Sequence, residues 1–201
     1  MFASRLRRLF VGGSAGNEQL TLAVAALLLG LLAVESATLL NVRSLLTVHA
    51  FVGMLLIPVI ALKAASTGWR FLSYYRGGEE YVKRGPPHVV LRLLVAPVLM
   101  LSTFVLFSTG VVLLARDQTS GTIVGLHKAS FIVWLGAASL HVLAHLLRLP
   151  GLWRLRAPGV ALRAVLVGAS LVAGAMLATA SLPAADRLQD RTTAHIGFDE
   201  R

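Results

Sequence analysis

Five of the six histidines, His49, His88, His127, His141 and His145, fall within or at the ends of long apolar stretches. An ionisable ring is costly there, so its presence points to function. His127 and His141 are 14 residues apart, which on a helix is about −40° in angle and about 21 Å in height. His145 lies 18 residues after His127, a whole number of turns. One helical stripe therefore carries imidazole at two depths. His49 belongs to an earlier stretch, separated from that of His127 by one other, so the two helices run in the same direction and their rings reach similar depth. Two imidazoles from neighbouring parallel helices can fill both axial positions of a haem iron, which leaves no open site and favours electron transfer over oxygen chemistry. Gly53, one turn after His49, leaves space for a porphyrin edge.

Composition says which elements must position these rings. The chain has 201 residues, 56% hydrophobic and 14% charged, with a mean hydropathy of +0.76. A water-soluble domain could not carry that balance. Apolar stretches of roughly 20 residues, enough to cross a bilayer, recur along the chain. The reading is an all-α integral membrane protein, an antiparallel bundle of five transmembrane helices at about 19–40, 44–75, 88–115, 121–148 and 160–182. A basic segment, 1–18, precedes the 19–182 bundle, and a polar, flexible tail, 183–201, follows it. The first span is read as a retained helix: its apolar run exceeds a usual signal-peptide core, although the small residues Ala33 to Ala37 would suit cleavage. Pro58 and Pro97 are expected to kink their spans. The run Gly168, Ala169, Ser170, Ala173, Gly174 and Ala175 suits close helix packing.

The formal charge is +10, but the basic residues are scattered between apolar spans, which argues against nucleic acid. They sort by topology instead. With the N-terminus inside, the inner side collects Arg5, Arg7, Arg8, Arg70, Arg76, Lys83, Arg84, Arg92, Arg148, Arg154, Arg156 and Arg163. The outer side holds Arg43, Arg116, Lys128, Arg187, Arg191 and Arg201. The positive-inside rule then places the N-terminus in the cytoplasm and the C-terminus outside, in the plasma or inner membrane. There is no cysteine, which removes thiolate catalysis, Cys-ligated metal and covalent c-type haem attachment.

The segments LLTVHAFVGMLLIPVIALKAASTGWRF and VGLHKASFIVWLGAASLHVLAHLL resemble the membrane di-haem cytochromes b, broadly the bacterial b561-like type and the cytochrome b subunits of respiratory oxidoreductases. The resemblance covers the second and fourth spans. It implies that His49 and His127 bind an outer haem b and that His141 binds a second, inner one. Where the family would place the fourth ligand, 14 residues after His49, this chain has Lys63. Either the inner haem is absent, or Lys63 ligates it or pairs with a propionate, or another histidine substitutes: His88, at about the depth of His145, is the candidate, with an interfacial role as its alternative beside Pro86 and Pro87, and His145 is read either as a ligand or as an interfacial residue that fixes the helix end. Lys63 could equally snorkel to the inner headgroups. Arg92 and Arg70 are candidate propionate partners on charge alone. Glu35, the acidic residue well inside a span, could move protons but is read as an ion pair with Arg43 or Lys128. Trp134 lies on the histidine stripe as packing, and His195 is assigned nothing.

Three classes of function follow. The first is a b-type haem electron-transfer protein, the membrane subunit of, or partner to, a quinone-linked oxidoreductase rather than a self-contained enzyme. The second is a cofactor-free anchor or assembly subunit, and the third a small proton or metal transporter. The last fits less well, because the ionisable residues gather toward the two surfaces rather than at the midplane.

Overall fold

In lipid an apolar stretch must satisfy its own backbone, and the helix is the way one segment does so. The computed structural model describes residues 13–83, 89–146 and 157–199, with side chains through Thr193. Among them there are helices and no strands. Helix α1 is Gly13–Thr38, continued by a short 3-10 turn Leu39–Asn41; α2 is Leu46–Tyr75; α3 is the single turn Glu79–Val82. Helix α4, Ala96–Ala115, is entered through a π-helical segment Leu91–Val95; α5 is Thr122–His145 and α6 is Val160–Asp199. Five helical segments are long and apolar enough to cross a membrane: Gly13–Asn41, Leu46–Tyr75, Leu91–Ala115, Thr122–His145 and Val160–Thr193.

Close contacts fix the directions. Asn17 and Thr21 of α1 reach Ser66 of α2, while Glu35 and Thr38 at the other end of α1 reach His49, so α1 and α2 are antiparallel. Leu46 meets Gln189 and Gly174 meets Leu55, so α2 and α6 are antiparallel too. At Gly174 any side chain would collide with the backbone of Leu55, which gives one residue of the small-residue run its packing role. Leu106 and Thr109 of α4 meet His127 of α5, and the cluster Leu46, Ala50, Met54, Leu114, Ala185 and Leu188 joins α2, α4 and α6. Helices α2 and α5 therefore run in the same direction, as the histidine argument requires.

The interior is thin. Val24, Leu56 and Val59 are fully buried, whereas Phe104, Ile132, Leu143 and Met176 are each at least two-thirds exposed. An apolar exterior of this kind is suited to lipid. Pro97 explains the π segment: lacking an N–H, it cannot donate to the carbonyl of residue 93, and the backbone N–H of Ala96 bonds to Leu91 instead. The expected kink is thus a widened turn. Pro58 sits inside an unbroken α2.

The expected flexible tail after residue 182 is helical: α6 passes through Pro183 and runs to Asp199. Ala185 and Leu188 are buried against α2 and α4, so packing holds the segment that its polarity suggested was free. Gln189 Oε1 accepts from the backbone N–H groups of Leu46 (2.8 Å) and Thr47 (3.3 Å). It thereby caps α2, whose own Leu45 supplies no side-chain cap. Asp186 accepts from Thr47 Oγ1 at 3.0 Å, and Arg187 and Arg191 approach Asp117 in the α4–α5 turn at 3.5 and 3.7 Å. At the opposite end of the bundle, Glu80 accepts from the N–H of Ser14. The buried Arg163 spans Gln19 and the carbonyls of Ala157 and Pro158.

Candidate functional site

His49 stands in the first turn of α2, the turn that Gln189 caps. The last turn of α1 lies beside it. Thr38 donates its hydroxyl hydrogen to the Glu35 carbonyl at 2.6 Å, so toward His49 Nδ1, 3.0 Å away, its oxygen can only accept. Glu35 Oε1, 2.9 Å from the same Nδ1, is an acceptor as a carboxylate. Both neighbours require Nδ1 to carry the hydrogen, so the neutral ring keeps its lone pair on Nε2.

His127 is held by the same logic from different residues. Gly121, in the left-handed region at φ 94°, starts α5, and His127 follows on a face turned to α4. Thr109 donates to the carbonyls of Val105 (2.7 Å) and Leu106 (2.9 Å), leaving its oxygen to accept from His127 Nδ1 at 3.1 Å. The Leu106 carbonyl, also 3.1 Å away, accepts as well. Again Nδ1 donates and Nε2 keeps the lone pair. Gly110 is needed beside it, because a Cβ there would lie 3.2 Å from His127 Cε1.

Both rings line one cavity of about 1010 Å³. Among the described residues no hydrogen bond reaches either Nε2. Gly53, Met54 and Ile57 of α2 line it, as do Gly110 of α4 and the pair Phe131 and Trp134 of α5. Those two aromatic rings stack, with centroids 6.3 Å apart and planes 24° from parallel. Trp134, read from sequence as packing, thus forms cavity wall. Arg43 and Lys128 bring positive charge to the lining, and Leu188 and Thr192 of the α6 extension close over it.

The expected ion pair of Glu35 with Arg43 or Lys128 is replaced by a hydrogen bond from His49 Nδ1, because three residues along α1 place Glu35 and Thr38 on the face that meets α2. Glu35 Oε2 is buried without a hydrogen-bond partner among the described residues.

The remaining sequence-derived residues do not join this cavity. His141 and His145 stack on each other in the last turns of α5, centroids 4.6 Å apart, and His145 Nδ1 donates to the His141 carbonyl. Lys63 reaches neither ring directly. Its Nζ donates to the Thr21 carbonyl of α1 at 2.8 Å, which neither a ligand role nor snorkelling foresaw. Arg92 lies in the π segment with its Nε buried and without a hydrogen-bond partner among the described residues, and Arg70 is in the last turns of α2. His88 lies outside the described residues, as do Arg5, Arg7, Arg8, Arg84, Arg148, Arg154, Arg156 and Arg201. No group of three or more His, Cys, Asp or Glu side chains able to hold a metal ion occurs among the described residues.

Sequence reasoning missed the residues that orient the rings: Thr38, Thr109, the Leu106 carbonyl and Gly110. The i, i+3 spacing of Glu35 and Thr38 was a visible signal, whereas the Leu106 carbonyl has none. No protein-family model, curated protein or solved structure matches the chain.

Proposed function

We propose that the chain is a membrane cytochrome b that holds a haem b between His49 and His127 and passes electrons through the bilayer. The observation that carries the reading is a matched pair of contacts: two imidazoles on parallel helices line one cavity, each with Nδ1 within hydrogen-bond distance of a protein acceptor and, among the described residues, no hydrogen bond at Nε2. Metal-ligating histidines are held in this way, the second nitrogen being fixed by a carboxylate or carbonyl. The cavity is at the upper end of the range of about 300–1,000 Å³ for ligand pockets, which leaves room for a porphyrin. Gly53 and Gly110 keep its walls open, and Trp134 and Phe131 give it an aromatic face. A carboxylate with one oxygen buried and unbonded among the described residues is costly, and positive charge held at His49 would offset it. Arg43 and Lys128 would serve the propionates, in place of Arg92 and Arg70, which lie elsewhere.

Two-imidazole ligation supplies reversible one-electron exchange and leaves no coordination site for substrate. The chain's residues then orient the ligands, exclude solvent and hold charge; a quinone or a redox partner subunit supplies and removes the electrons. The basic-residue distribution favours a plasma or inner membrane with the N-terminus cytoplasmic and the cavity at the outer end. The reading keeps the outer haem of the b561-like resemblance. The inner one has less support, since the Lys63 amine donates to the Thr21 carbonyl.

Protein expressed with sufficient haem and purified in mild detergent is expected to be red, with reduced-minus-oxidised bands of a b-type haem and no spectral change on adding carbon monoxide. A colourless preparation would leave the anchor reading in its place.

A further inference from the structure

The two imidazoles differ in what accepts their Nδ1–H. At His127 both acceptors are neutral, the Leu106 carbonyl and the Thr109 hydroxyl. At His49 a carboxylate takes part: Glu35 Oε1 lies 2.9 Å from Nδ1. Glu35 Oε2 is buried and makes no hydrogen bond among the described residues, so His49 is the ring that Glu35 engages there. Arg43 and Lys128 line the same cavity but form no ion pair with it among the described residues.

We infer that Glu35 is a positioning residue that makes His49 the more electron-donating of the two ligands and so lowers the reduction potential of the haem they hold. The inference rests on the haem reading above and concerns how that site is tuned. A carboxylate that accepts the Nδ1 hydrogen raises the basicity of the opposite ring nitrogen. The oxidised haem carries one more positive charge than the reduced haem, and a negative charge bonded to its ligand in a low-dielectric interior favours the oxidised state. The local structure serves this arrangement. Thr38 is locked by its bond to the Glu35 carbonyl, so one turn of α1 presents both acceptors to His49. Gly53 faces the carboxylate, and even a methyl group there would reach van der Waals contact with Oε1 at 3.6 Å.

The test is a redox titration of the full-length protein in detergent, alongside haem-to-protein ratios, for wild type, Glu35→Gln, Glu35→Asp and Thr109→Val. Glu35→Gln keeps the size and an acceptor oxygen but removes the charge. It is expected to retain haem and to favour the reduced state by about tenfold or more, a rise of about 59 mV for a one-electron couple. Thr109→Val, on the neutral side, is expected to shift the potential less. A red Glu35→Gln protein with the wild-type potential overturns the inference. Should Glu35→Gln carry no haem, Glu35→Asp gives the answer: withdrawing the carboxylate by one methylene raises the potential, and a loaded Glu35→Asp at the wild-type potential overturns the inference. Colourless wild-type protein defeats the haem reading itself, whereas red wild type with an unmoved variant defeats this inference alone.

Discussion

At the scale of the residue, chemistry is decided by where hydrogens must sit. Histidine type and spacing were legible in the sequence, because 14 and 18 residues are near-whole numbers of helical turns. The tautomers were not legible, since they depend on Thr38 and Thr109 having already spent their hydroxyl hydrogens on backbone carbonyls. Glu35 shows the same limit: its position in a span marked it as consequential, but its partner is chosen by the crossing of α1 and α2. Gly110 belongs to this scale as well. A Cβ there would lie 3.2 Å from His127 Cε1, tighter than a well-packed contact allows, so the ring must tilt. Gly110→Ala is expected to weaken haem retention by about tenfold, at the lower end of what loss of an outer-shell partner does to metal sites. Measuring the rate of haem transfer to a haem-scavenging protein checks this.

At the scale of the element, the five spans could be read from hydropathy, but what joins them could not. Pro183 followed by Asp186, Arg187, Gln189, Asp190 and Arg191 reads as the end of a helix and the start of a free tail. The helix continues because Ala185 and Leu188 present an apolar face to α2 and α4 while the polar residues grip the neighbouring termini. Pro97 likewise promised a kink and produced a π turn. The α6 extension both caps the helix that carries His49 and closes the cavity through Leu188 and Thr192. Gln189→Ala removes the acceptor for two N–H groups of α2. It is expected to cost about 1 kcal/mol, the usual worth of an N-cap, seen as a lower Tm in detergent.

At the scale of the whole molecule, five spans would put the two ends of the bundle on opposite sides of the membrane, and the proposed orientation, with the N-terminus cytoplasmic, rests on the distribution of basic residues. The absence of cysteine makes that orientation directly measurable. Single cysteines at Arg76 and Arg116, both exposed at opposite ends of the bundle, are expected to differ in intact cells or spheroplasts. The cysteine replacing Arg116 should react with an impermeant maleimide, and that replacing Arg76 only after permeabilisation; the reverse pattern would invert the topology. The exposed apolar side chains of Phe104, Ile132 and Met176 are then lipid-facing surface, and the cavity is an interior feature of one end.

The pairing of His49 with His127 is tested most directly by the haem-to-protein ratio of purified wild type set beside His49→Ala and His127→Ala. The account predicts a ratio near one in wild type and loss of the same haem in either variant. Colourless wild type, or variants of which only one loses haem, would contradict it.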